Sequence, residues 1–173
     1  MYNFGVVMTE EEKKLLNSFE TQLRHLIYLH DELKRENAEL KKQAESFAKA
    51  QLQELKKRLL ENVRLVNGVS IVSLKITLAP DVVKNLAFQL RGEKQDHFLF
   101  VAGTTDMAGK PLLTVALSDD LVATGLSASM LVRNAAKHIQ GGGGGQPHFA
   151  QAGGKNADGL SVAVDEIVME VTK

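Results

Sequence analysis

Between Leu16 and Phe47 the chain repeats an interval of three and four residues: Leu16, Phe19, Leu23, Leu26, His30, Leu33, Asn37, Leu40, Ala44 and Phe47. That spacing is the seam of a coiled coil, with Leu16, Leu23, His30, Asn37 and Ala44 at a positions. The next seam positions, Gln51 and Glu54, are polar, and a new phase begins with Ala48, Leu52, Leu55, Leu59, Val63 and Val66. The shift is a stutter near residues 44–51. The first stretch calls for a partner chain, and we expect a homodimer joined through Leu16, Phe19, Leu23, Leu26, His30, Leu33, Asn37 and Leu40. The second stretch has two possible destinations, the globular part or a helical hairpin. Asn37 at an a position favours a parallel pair in one register. His30 reads either as an ordinary seam residue or as a pH-sensitive switch; we take the former.

Residues 9–66 contain no Gly and no Pro and are rich in Leu, Lys, Glu, Gln and Arg, all good helix formers. Thr9 followed by Glu10, Glu11 and Glu12 predicts an N-cap, with Glu12 at the capping-box position. Asn67-Gly68 predicts the stop. One helix of about 57 residues would be roughly 85 Å long. We therefore expect a long helix within residues 1–66 and a globular part over 67–173. In the latter, residues 69–78, 97–102 and 111–117 read as strands, with a turn around Asp106-Met107-Ala108-Gly109-Lys110. Pro80-Asp81 opens a helix through Leu90, Ser118-Asp119-Asp120 caps a short one ending at Gly125, and Ser127 starts another through Ile139. Met130, Leu131, Ala135 and Ile139 are available for its inner face. Residues 158–171 read as a last helix. The fold class is α+β or α/β: a long N-terminal coiled-coil helix, then a compact mixed α/β domain with a glycine-rich loop.

Composition narrows the chemistry. Lys+Arg and Asp+Glu both number 21, so the net charge is zero, which excludes a uniformly basic nucleic-acid coat and an acidic tail protein. The absence of cysteine removes disulfides, thiolate nucleophiles and cysteine-built zinc sites. No apolar run reaches the ~20 residues of a membrane span, and residues 1–7 are too short and lack the basic start of a secretion signal. These features predict a cytoplasmic protein that does not engage membranes.

The most informative segment runs from Lys137 to Lys155 and contains five consecutive glycines, Gly141 to Gly145. A flexible linker is the ordinary reading of such a tract. However, the Gln146-Pro147-His148-Phe149-Ala150-Gln151-Ala152-Gly153-Gly154-Lys155 that follows is neither low-complexity nor Ser-rich. A bend bare of side chains lets backbone N–H groups approach a phosphate or a base closely. No carboxylate falls between Asp120 and Asp158, whereas Arg133, Lys137, His138, His148 and Lys155 do. That makes the stretch the natural face for a polyanion. Catalysis finds little support. His97, His138 and His148 lack paired metal-ligand spacing, no serine sits in a Gly-x-Ser-x-Gly elbow, and Asp119-Asp120 reads as a helix cap. We expect no catalytic residue, no metal and no cofactor.

Lys137-His138-Ile139-Gln140, the five glycines, Pro147 and Ala150-Gln151-Ala152-Gly153-Gly154-Lys155 closely resemble the C-terminal domain of alanyl-tRNA synthetases. The resemblance covers about residues 44–173, with Leu90-Arg91, Phe100-Val101-Ala102-Gly103 and Ser118-Asp119-Asp120-Leu121 in support. The same domain occurs in the DHH phosphoesterase group, beside a separate catalytic domain. The resemblance implies a stalk that dimerises and a globular domain that grips the tRNA elbow, with alanine-accepting tRNA as the partner. Carried over, Gly141, Gly142, Gly143, Gly144, Gly145, Gln146, Pro147, Gln151, Gly153, Gly154 and Lys155 are the tRNA-contact candidates. Arg133, Lys137 and His148 join them from the charge argument. The sequence has no domain for alanine activation and none for editing. The coil before Ala44 looks unrelated to synthetases and similar to short bacterial cell-division accessory proteins. A coiled-coil adaptor with an inactive globular domain is the alternative function.

Overall fold

The computed structural model describes residues 8–94, 96–106 and 108–173. The opening residues 1–7, and Met107 of the expected turn, lie outside that set. The chain divides into two compact units, residues up to Ala50 and Gln51–Lys173.

In the first unit, helix α1 (Glu10–Glu61) begins as its sequence predicts. The Glu12 N–H donates to Thr9 Oγ1 at 3.2 Å, and the Thr9 N–H donates to Glu12 Oε2 at 2.7 Å. This reciprocal pair satisfies two otherwise orphaned donors of the first turn. No residue of α1 is fully buried. Leu16, Phe19, Leu23, Leu26, Leu33 and Leu40 are all exposed along the seam, together with Leu15, Ile27 and Tyr28.

The second unit carries the last part of α1 and a six-stranded mixed sheet. Its strands are β1 (Arg64–Val66), β2 (Val69–Thr77), β3 (Phe98–Thr105), β4 (Pro111–Leu117), β5 (Gly142–Gln146) and β6 (Phe149–Gly153). They lie in the order β1-β2-β3-β4-β6-β5, with only β2 and β3 parallel. Helix α2 (Pro80–Glu93) makes the crossover that a parallel pair requires. Three more helices follow: α3 (Asp119–Ala123), α4 (Ala128–Ala135) and α5 (Leu160–Val171).

The helix stops short of the expected Val66. Asn67 (φ 49°) and Gly68 (φ 84°) both take the left-handed conformation, as a two-residue hairpin turn of type I′ requires. That turn folds Arg64–Val66 back onto β2, pairing Val66 with Val69. Asn-Gly thus makes a hairpin and does not cap the helix. Asn62 marks the helix end, its side-chain amide donating to the Arg58 carbonyl at 2.8 Å.

Period-two alternation sends the strand side chains to two cores. On one face, Ile71, Leu99, Val101, Leu113, Val115, Ala150 and Ala152 pack beneath α3, α4 and α5. On the other, Val72, Leu74, Phe98, Phe100 and Ala116 pack against α2, with Leu52, Leu55, Leu59 and Val63 added from the second apolar phase. That phase therefore packs on the sheet and forms no helical hairpin. Lys56 reinforces it with an ion pair to Glu93 at 2.8 Å. Expected strands and helices recur with small shifts, but α4 ends at Ala135, and Met130 is 64% exposed and turned away from the core.

Candidate functional site

The five glycines form no loop. Gly142–Gln146 is a strand, β5, at the edge of the sheet, hydrogen-bonded to β6 in the register Gly142↔Gly153 to Gln146↔Phe149. Two features bend the chain into this hairpin. Gln140 takes φ 51°, and the Gly141 N–H reaches back to the Ala136 carbonyl at 3.0 Å, so the turn after α4 closes and β5 starts. At the far end Pro147-His148 is a two-residue turn, whose carbonyls accept from Ala128 and Leu117 at 2.7 and 2.9 Å.

Close approach explains alternate glycines. A Cβ on Gly141 would lie 2.0 Å from the Gly153 oxygen, and one on Gly145 would lie 2.4 Å from the Phe149 oxygen. A Cβ on Gly142 meets nothing within 4 Å, and one on Gly144 would sit 3.3 Å from the Arg133 guanidinium. The expected glycine-rich loop is thus an ordered, side-chain-free edge strand. Gly142, Gly143, Gly145, Gln146 and Pro147 are exposed, and the outward backbone of an edge strand lacks a strand partner.

Some groups of the other candidates already have internal partners. The N–H groups of Gly154 and Lys155 donate to Pro111 and Ile139 carbonyls at 3.1 and 2.8 Å. Gln151 donates its amide to Thr114 Oγ1 at 3.0 Å. The carboxylate gap in the sequence is not a gap in space, because Glu166 of α5 pairs with His138 at 2.5 Å. Arg133, Lys137 and Lys155 remain exposed, with no carboxylate in ion-pair range among the described residues. Gly141, Gly153, Gly154 and Lys155 line a pocket of about 360 Å³ at the foot of the hairpin. His148 sits at the opposite end, so the candidates spread along the hairpin and do not converge on one point.

Sequence reasoning passed over two side chains at this surface. Lys110, from the turn between β3 and β4, lines the same pocket as Lys155. Phe149 stacks on Phe88 of α2, with ring centroids 4.9 Å apart. The alternation of Phe149, Gln151 and Gly153 with buried Ala150 and Ala152 was the available signal for a strand here.

The histidines stay apart. His97 pairs with Asp120 at 2.8 Å, and no group of three His, Cys, Asp or Glu suited to a metal occurs among the described residues. Ser118 and Asp120 do more than start α3. Ser118 Oγ accepts from the Phe98 N–H at 2.9 Å and Asp120 Oδ2 from the His97 N–H at 2.8 Å, tying α3 to the start of β3. Ser118 makes no side-chain cap bond to its own helix. No helix of the described residues is long and apolar enough to cross a membrane.

A mixed sheet carrying this glycine hairpin places the chain in a known class: it belongs to the DHHA1 domain family, whose profile matches residues 67–173. Residues 8–64 match a family described as ZapB related. Among relatives, the alanine–tRNA ligase of Bacteroides fragilis is 57% identical over 133 residues, covering 77% of this chain and 15% of the ligase. That of Parabacteroides distasonis is 43% identical over 159 residues, covering 90% of this chain and 18% of the ligase. The chain thus spans less than a fifth of the curated relatives it matches. The second match takes in helix residues upstream of Ala44, so the likeness to the ligases reaches further up the helix than residue 44.

Two solved structures share the fold. The C-Ala domain of Aquifex aeolicus alanyl-tRNA synthetase superposes with a TM-score of 0.55 at 23% identity, covering 64% of this chain and 97% of that domain. A DHH-domain protein described as a member of the s1p family of ribosomal proteins gives 0.51 at 16% identity, covering 74% and 32%. The likeness to the synthetase C-terminal domain read from the glycine motif is borne out.

Proposed function

We propose that the chain is a non-catalytic, cytoplasmic tRNA-binding module that grips the tRNA elbow along its glycine hairpin, with alanine-accepting tRNA as the preferred partner. The observation that carries this reading is the exposed edge strand Gly142–Gln146, accompanied by exposed Arg133, Lys137 and Lys155, which have no carboxylate in ion-pair range among the described residues. Structured RNA offers phosphates and 2′-OH groups more than readable major-groove edges, so binding by shape and backbone suits such a surface. The ligase relatives supply tRNA as the class of RNA. The aminoacylation chemistry their name describes is not part of the proposal. Pairing of two copies through the apolar seam of α1 would bring two such hairpins to one assembly and raise avidity.

The test is fluorescence anisotropy of the full chain with alanine-accepting tRNA, a second tRNA and an unrelated RNA hairpin over a range of salt. The expected result is preference for tRNA, strongest for the alanine acceptor. Arg133→Ala and Lys155→Ala should each lower the slope of log affinity against log salt by about 0.7–0.9. Absence of tRNA binding at low salt would end this reading.

A further inference from the structure

We propose that a second part of the RNA is read on the sheet face opposite α4, in a trough between α2 and the β6–β5 hairpin. There an unpaired base stacks on the Phe88–Phe149 pair, and a phosphate of the same strand is held between Lys110 and Lys155. This inference rests on the tRNA-binding reading and extends it to side chains outside the glycine motif.

Strand alternation defines the trough. Ala150 and Ala152 point into the core beneath α4, so Phe149, Gln151 and Gly153 belong to the other face. On that face α2 packs over β3 and β4 and reaches β6 through the Phe88–Phe149 stack. Phe88 is 39% exposed despite the stack, so its ring still offers surface to a further flat group. It lies beside Arg91, which pairs with Asp119, and beside Asp96 and Asp120, so this end suits an uncharged base and the phosphate belongs at the lysine end. Bases stack on such rings with little regard to sequence.

The cationic end lies along the same face. Leu112 alternates with buried Leu113 and Val115, and it lines the pocket with Gly153, Lys110 and Lys155. The two lysines come from different segments, and neither has a carboxylate in ion-pair range among the described residues. Asp106, at the pocket wall, already holds the Ala108 and Lys110 N–H groups on its Oδ1 at 2.9 and 2.8 Å. From Gly153 to Phe149 is four residues of strand, about 13 Å, a length that an extended dinucleotide bridges. Between them Gln151 donates its amide to Thr114, leaving its carbonyl oxygen to accept from a base or a 2′-OH. Aromatic rings at one end and two cations at the other match the base and the phosphate of one strand, whereas an apolar peptide would leave the lysines unused.

The test measures tRNA affinity of the full chain by anisotropy for Phe88→Ala, Phe88→Leu, Lys110→Ala and Lys75→Ala, with a urea midpoint for each. Phe88→Leu keeps apolar bulk but removes the π face. Lys75 is an exposed β2 residue bonded to Ser161 and serves as the charge control. Both Phe88 variants should weaken binding about tenfold, the leucine variant without loss of fold. Lys110→Ala should lower the salt slope by about 0.7–0.9, and Lys75→Ala should leave it unchanged. If wild type binds tRNA while Phe88→Leu and Lys110→Ala bind equally well, the trough is unused and the hairpin reading stands alone. Equal losses from Lys75→Ala and Lys110→Ala would overturn the phosphate site. A wild type that ignores tRNA overturns both readings.

Discussion

Gly143 lies so close to Ala152 across the hairpin that a Cβ on it would come within 2.4 Å of the Ala152 Cα and 2.1 Å of the Gln151 oxygen. Its neighbour Gly142 has open space. Gly143→Ala should therefore separate the two strands and destabilise the domain by about 2–4 kcal/mol. Gly142→Ala should change stability by less than about 1 kcal/mol. Urea denaturation of the two variants checks this, and equal midpoints would contradict the packing. It follows that Gly143 is a poor probe of RNA contact, since its loss disturbs the fold first. Gly142 is the position where added bulk reports on the ligand.

The seam of α1 gives a second expectation. Leu26 and Leu33 are 62% and 63% exposed in the single helix, and each leucine buried between two copies would contribute about 1.5–3 kcal/mol per copy. Leu26→Asp combined with Leu33→Asp should convert a dimer to a monomer by sedimentation equilibrium at micromolar concentration. Asn37→Leu should tighten association while admitting other oligomers, because the buried amide that selects a two-stranded register is gone. A wild type that sediments as a monomer would remove the pairing altogether.

Asp120 makes the domain sensitive to acid. Burial pushes its carboxyl up, but the Ser118 hydroxyl, the His97 and Leu121 N–H groups and the facing His97 ring outweigh that and hold it below the ordinary carboxylate value. A carboxyl whose folded value is depressed stabilises the fold at pH above its unfolded value of about 3.9. That contribution is lost as pH falls through the lowered folded value. Asp120→Asn should thus lower the urea midpoint at pH 7 and flatten its decline below about pH 4. A decline as steep in the variant as in wild type would show that other carboxyls control acid unfolding. Glu93, held down by its hydrogen bond and charge attraction to Lys56, acts in the same direction.

Much of this architecture was legible because local rules and packing agreed. Thr9 and Glu12 form the capping box that their spacing requires, and Pro111–Leu117 is the strand that its composition predicts. Misreadings came where one signal serves two structures. Asn67-Gly68 ends a helix or turns a hairpin, and only β2, waiting to pair, decides between them. The glycine run has no side-chain alternation of its own, so its strand character depends on β6, whose Phe149, Gln151 and Gly153 do alternate with buried alanines. Charge counted along the chain missed Glu166, which is brought to His138 by α5. It also missed Lys110, brought to Lys155 by the β3–β4 turn. Those pairings exist only in three dimensions.

An outer strand made almost wholly of glycine also bears on solubility. A foreign strand could register against β5 and form main-chain hydrogen bonds, yet it would bury almost nothing, and fibrillar stacking depends on interlocking side chains as much as on backbone pairing. This short border can thus stay open to solvent without the lysines, prolines or bulges by which many sheets discourage self-assembly. A border with no side chains stays available to a polar guest while giving another copy of itself little to hold.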